Sequence, residues 1–281
     1  MRPRIVLLWI PNHAYFLVAR MLSGRFHLLT FFCLVTGAMA QSAYDFGNPD
    51  GNEQIYIERI NRARANPTAE GQRLATTTHP GLIDVYAYAS VNLLVMKSEM
   101  SLLAIQAPLV PNAKLMSAAR GHSQWMFTNA QQAHDQPDGP NFVPTDGKTF
   151  SERLVNVGYY NTLISGQPDC TRAENVYAYS DDDEYSHASF EVDWAGPLYT
   201  GSQTDGMQNP RGHRSNIHSG IFREIGIGVV KGTNTKNGNT VGPEIVTQDF
   251  GRLNVYPANA SYFGTGVAYY DLDGDNFYDV G

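Results

Sequence analysis

The chain has few cysteines and few cationic side chains. Its two cysteines are Cys33 and Cys170, and Cys33 falls in an N-terminal apolar segment that reads as cleaved. Cys170 is then alone, which excludes an intrachain disulfide in the remaining protein. Such a protein relies on its core, on a bound ion, or on both. Lysine and arginine together number 20 against 27 acids, a formal net charge of -7. No basic cluster offsets that charge, which argues against a nucleic-acid partner. No HExxH helix and no GxSxG elbow is present, so two common hydrolase signatures are missing. There is no internal repeat and no low-complexity tract.

What is present begins with a targeting segment. Arg25 and His27 precede an uncharged apolar run from Leu28 to Thr36, and Ala38-Met39-Ala40 forms a small-x-small cleavage site before Gln41. The run is too short for a permanent membrane anchor. Residues 1–40 are therefore read as a signal peptide, with Met21 as the more ordinary start, and the protein as secreted and extracellular. About 240 residues remain, enough for one domain with a sizeable core. Residues 41–49 read as a linker and 50–255 as that domain.

The first half of the domain reads as helical. Asp50 and Glu53 have capping-box spacing, and Tyr56, Ile60 and Ala63 follow at helical intervals until Pro67. Arg59, Arg62 and Arg64 fall off that apolar stripe. Leu82, Tyr86, Ala89, Leu93, Met96, Met100 and Leu103 trace one long apolar face that Pro108 ends. A third helix runs from about Asn112 to Asn129, and His122 lies on its apolar side, the place of a core histidine more than of a ligand. Ser151 to Val157 reads as a short helix capped by Ser151, residues 160–172 as loop, and Asp183 to Trp194 as a further helix begun by Asp181-Asp182-Asp183. Gly201 to Pro210 is again loop. Glu224–Val230 and Glu244–Phe250 read as strands, with Asn237-Gly238 a hairpin signal between them.

Three residues carry candidate chemistry. His134, Glu174 and His213 each stand beside a glycine or turn signal, about 40 residues apart in steps. Gathered by the fold, they place two imidazoles and a carboxylate in one cleft. That donor set suits a divalent ion such as zinc, and it suits acid–base work equally.

The ordered motifs resemble a known family. Ala118-Ala119-x-x-His122-Ser123-x-x-Met126 and His134-x-x-Pro137-Asp138-Gly139 are similar to segments of the CAP superfamily. That superfamily includes cysteine-rich secretory proteins, antigen 5 and pathogenesis-related proteins. Glu152-Arg153, Glu174-Asn175-Val176, Gly212-His213-Arg214-x-Asn216-Ile217 and Ile225-Gly226-Ile227-Gly228 resemble its bacterial branch in the right order. The opening Ile60-Asn61-x-x-Arg64-x-Asn66-Pro67 is similar too, and the likeness covers roughly residues 50–252. The resemblance implies an α+β fold, a three-layer α-β-α sandwich with a small antiparallel sheet and an open cleft. It also implies a zinc site of two histidines and two acids. His134, Glu174 and His213 match three of these. The second acid is matched most nearly by Asp193, in Phe190-x-x-Asp193, with Glu191 as the rival. His122 and Asn175 would line the cleft.

The C-terminal end carries a separate signal. Asp271-x-Asp273-Gly274-Asp275-x-x-x-Asp279 alternates carboxylates across a glycine turn, as calcium loops do. Residues 256–281 thus read either as the start of an incomplete extracellular β module with an acidic calcium-type loop or as an acidic solvated tail; the full EF-hand pattern is absent. Three functions follow for the whole chain. The first is a binding module whose metal cleft contacts a lipid, sterol or cell-envelope ligand. The second is a zinc-dependent hydrolase with Glu174 as general base. The third is an extracellular adhesion or scaffold protein.

Overall fold

The computed structural model describes residues 44–136, 149–160, 170–196, 205–254, 265–266 and 278. The targeting segment and the acidic loop of Asp271, Asp273, Asp275 and Asp279 lie outside the described residues.

Helix α1 spans Gly51–Ala65 and starts as its sequence dictates. Asp50 accepts from the Glu53 amide, and the Glu53 side chain accepts from the Asp50 amide, both at 2.9 Å. Asn66 then caps α2 (Pro67–Ala75), whose first-turn proline gives up an amide that no helix would have used. The long apolar face expected over 82–103 is two helices, α3 (Pro80–Ala89) and α4 (Leu93–Ser101). Ser90 turns left-handed at φ 56°, and Asn92 caps α4. The periodicity ran on because both helices bury the same kind of face. Leu82, Tyr86, Met96 and Met100 share one cluster with Leu74 and Trp194.

Strand β1 (Val110–Pro111) leads into α5 (Ala113–Asn129), capped by Asn112. Helix α6 spans Phe150–Asn156, and its cap is Thr149 rather than Ser151. Thr149 makes a full capping box with Glu152, which Ser151 could not do at that spacing. Strand β2 (Cys170–Ser180) includes residues 170–172 of the stretch read as loop. Its alternation was masked because it carries polar residues that are buried, Glu174 and Asn175 among them. Helix α7 (Asp183–Val192) is capped by Asp182, and α8 spans Gly212–Ile217. Strands β3 (Glu224–Lys231) and β6 (Glu244–Leu253) flank a ribbon of β4 (Asn234–Lys236) and β5 (Asn239–Val241). Asn237 and Gly238 close that ribbon with φ of 54° and 81°, the paired positive values of a tight hairpin turn.

The main sheet runs β1-β3-β6-β2. It is mixed rather than wholly antiparallel, because β1 pairs with β3 in parallel. One face lies under α5 so closely that a Cβ on Gly226 would meet the Leu115 carbonyl carbon at 2.1 Å. On the other face Ile225, Ile227, Val246 and Phe250 pack on Ile57 and Ile60 of α1 and Phe190 of α7. The architecture is an α+β, three-layer α-β-α sandwich.

Arg64 departs from its sequence reading. It is fully buried, unlike Arg59 and Arg62. Its Nε and Nη2 donate to the Ala107 carbonyl, and Nη1 donates to the Ile217 and Ser219 carbonyls.

Candidate functional site

The site is built on the edge strand. Among the described residues β2 has β6 on one side only, and neighbouring residues of a strand point to opposite faces. Glu174 lies opposite Asp249, which lies opposite Gly226, so its side chain faces α5. Asn175 faces the α7–α8 side.

On the α5 side the chain must be brought back to Glu174. Ala130, in left-handed conformation, ends α5. His122 then organises the following segment from beneath. Its Nδ1 accepts from Gln136 Nε2 at 3.0 Å and its Nε2 donates to the Ala133 carbonyl at 2.7 Å. One tautomer of the neutral ring satisfies both bonds. Burial pushes the His122 pKa down to about 4, with the Arg153 guanidinium adding to that effect.

A stability test follows from that shift. The unfolded imidazole titrates near 6.5, so between there and about 4 the unfolded chain binds the extra proton. Stability contributed by neutral His122 is therefore complete above pH 6.5 and is lost as pH falls toward 4. The loss should amount to about 3 kcal/mol. Urea unfolding at a series of pH values should show a shallower acid decline for His122→Gln than for the parent. Parallel curves would show that His122 is not held neutral.

His134 is placed by this segment at the edge of β2. Its Nδ1 lies 3.0 Å from Glu174 Oε1, and Arg153 binds the other oxygen of Glu174 while donating to the His134 carbonyl at 2.7 Å. Burial opposes the Glu174 charge, but the His134 hydrogen bond and the Arg153 guanidinium outweigh it and hold the carboxyl below its ordinary range. The same hydrogen bond raises the His134 imidazole above its ordinary value. Asp249 is fully buried beside Glu174, and no donor among the described residues reaches either of its oxygens. Burial first, and then the Glu174 charge, push it well above the carboxylate range, which favours the protonated form.

On the opposite side His213 opens α8. Asp193, the left-handed cap of α7, accepts from the His213 amide at 3.0 Å and from Nδ1 at 2.8 Å. Asn175 Nδ2 donates to the His213 carbonyl at 3.2 Å and its Oδ1 accepts from Asn216 at 2.8 Å. Glu191 is turned away and binds the buried His218 at 2.9 Å. Asp193, not Glu191, is thus the acid that meets the second histidine.

The expected four therefore come together as two couples, His134 with Glu174 and His213 with Asp193, flanking neighbouring residues of β2. Among the described residues no group of three or more His, Cys, Asp or Glu side chains is arranged to hold a metal. Both acids are consumed: Glu174 by His134 and Arg153, Asp193 by two donors of His213. The two imidazoles keep Nε2 without a protein partner among the described residues. A carboxylate on the far nitrogen is the usual support of a metal-bound histidine, and each of these two imidazoles carries one.

A cavity of about 450 Å³ opens beside the first couple, lined by His134, Phe150, Ser151, Arg172, Ala173 and Glu174. His122, Asn175, Asp193 and His213 are not in its wall. Sequence reasoning gave no role to Arg153, Arg172 or Asp249.

The family model described as the cysteine-rich secretory protein family, CAP, matches residues 57–250. A solved structure of an extracellular protein containing an SCP domain, from Bacillus anthracis str. Ames, is similar at 17% identity. The likeness covers 62% of this chain and 44% of that one, with a TM-score of 0.31, so the chain spans less than half of that protein. Comparison with curated proteins gave no match.

Proposed function

The chain belongs to the cysteine-rich secretory protein (CAP) family, and from that membership we propose that it is an exported binding module rather than an enzyme. In this reading the cleft at the edge of β2 takes a lipid, sterol or cell-envelope ligand, and His134 and His213 hold a divalent ion.

One observation carries the preference for binding: Glu174 has no idle oxygen. His134 takes Oε1 and Arg153 takes Oε2. A general base must reach a water proton and must be basic enough to take it. Glu174 is engaged on both oxygens and is held below its ordinary pKa, so it is a poor base and a good anchor. Its chemistry here is to orient the imidazole of His134 with Nε2 outward. Asp193 does the same for His213. When bound, zinc supplies a Lewis-acidic point for a ligand oxygen.

The test is metal content and zinc titration of the chain purified without chelator or nickel resin. One zinc per chain is expected, lost in His134→Ala and in His213→Ala with the circular dichroism spectrum retained. Histidine must be neutral to bind, so affinity should fall with pH. The raised pKa of His134 makes that fall begin above the ordinary imidazole value of 6.5. Unchanged stoichiometry in His213→Ala would refute the two-histidine assignment. Hydrolysis of an ester or peptide that His134→Ala abolishes would favour the enzyme instead.

A further inference from the structure

We propose that the cavity on the α6 side of β2 is an anion subsite, in which Arg172 receives the carboxylate or phosphate group of a ligand whose apolar body lies against Phe150. The proposal narrows the ligand class of the binding reading above.

Arg172 is built into the wall. It precedes Glu174 by two residues on β2, so both side chains project to the same face. Its Nε and Nη2 donate to Ser151 Oγ at 3.1 and 2.8 Å, and its Nη1 lies 3.8 Å from Cys170 Sγ. Its guanidinium carbon stands 4.8 Å from the centroid of the Tyr160 ring. Every one of these partners is neutral. Arg59, Arg73, Arg120, Arg153 and Arg211, by contrast, each meet a carboxylate. Among the described residues Arg172 has no acidic partner at all.

The remaining donors suit an oxyanion. A guanidinium offers five N–H groups in a planar fork. Ser151 takes one from Nε and one from Nη2, and Cys170 faces one from Nη1. One N–H on each terminal nitrogen is left, and this parallel pair matches two oxygens of a carboxylate or phosphate. Ser151 and the Tyr160 ring hold the side chain in place beforehand, so little rotamer freedom remains to be lost on binding.

Nearby acids do not cancel the site. Glu174, the acid in the wall, is already matched by Arg153 and His134. Glu152 is occupied by the Thr149 cap, and Asp135 faces the Phe150 amide at 3.4 Å. Phe150 and Ala173 give the cavity its apolar wall, and a volume near 450 Å³ is within the range of small-ligand pockets.

The experiment titrates the full chain, in the presence of a chelator, with benzoate, phenyl phosphate and inorganic phosphate, read by calorimetry and by NMR. Benzoate or phenyl phosphate should saturate at millimolar concentration, and which of them is tighter tells a carboxylate from a phosphate ligand. Inorganic phosphate, which has no apolar body, should bind more weakly. Arg172→Gln should weaken the better probe at least about tenfold, as expected for losing charge-assisted hydrogen bonds, with an unchanged thermal midpoint. Arg172→Lys should restore part of the affinity, and Lys236→Gln, on the β4–β5 ribbon, should change nothing. If no probe saturates, or if Arg172→Gln binds as the parent does, the proposal is wrong. Because a chelator is present, failure of the zinc titration leaves this result standing, and the two readings fail separately.

Discussion

Arg64→Met is expected to cost about 3 kcal/mol of folding stability. The residue ties the end of α1 to the Ala107 carbonyl and to the Ile217 and Ser219 carbonyls after α8. Removing it leaves three carbonyls short of a donor, at about 2 kcal/mol each. Against this stands relief, because burial, with Arg223 nearby, lowers the Arg64 pKa to about 10. That shift represents about 3 kcal/mol of strain on the charged form, which methionine removes. The orphaned carbonyls outweigh the relief. Urea unfolding of the variant should show the loss as a lower midpoint at unchanged slope. A loss under about 1 kcal/mol would mean that water replaces the guanidinium at those carbonyls.

A larger effect is expected at Gly226. Its backbone is extended, so no left-handed strain is at issue. The space is the obstacle: a Cβ would come within 2.1 Å of the Leu115 carbonyl carbon and 2.3 Å of its oxygen. These are backbone atoms of α5 and cannot swing aside as a side chain does. Gly228 meets Ala119 in the same way at 2.3 Å. Any side chain at Gly226 must lift α5 from β3, and Gly226→Val should cost more than about 3 kcal/mol, at or beyond the upper end of overpacking penalties. Gly121 on the outer side of α5 is the control, since nothing lies within 4 Å of its added Cβ. Gly121→Ala should stabilise by up to about 1 kcal/mol, because it removes glycine from a helix interior. If thermal melts give the two variants similar midpoints, α5 does not pack on the sheet as described.

The capping box of Asp50 and Glu53, the helix starts near Asn112 and at Asp181-Asp182-Asp183, and the Asn237-Gly238 turn were all legible from the chain alone. Each depends on a few consecutive residues whose backbone and side chains satisfy one another locally. Local reading failed where a distant partner decides. Ser90 and Asn92 break one apparent helix into two because the Asn92 amide donates to the Asp205 carbonyl at 2.8 Å. Strand β2 exists because β6 pairs with it, and its buried acid and amide hid the alternation that normally marks a strand.

The candidate site divides along the same line. Sequence alone singled out the candidates, His134, Glu174 and His213 with Asp193 or its rival Glu191, and the family order of motifs. Only the tertiary structure decided their pairing. His134 and Glu174 are 40 positions apart, yet lie 3.0 Å apart. His213 meets Asp193 rather than Glu191 because the left-handed cap of α7 turns Asp193 toward the α8 N-terminus and leaves Glu191 facing His218. Arg153, which pairs with Glu174, and Asp249, buried beside it, are brought there by the tertiary fold alone. Which residue types are present is a property of the chain. Which donor faces which acceptor is settled by burial, because a buried polar group must find its partner wherever the fold brings one.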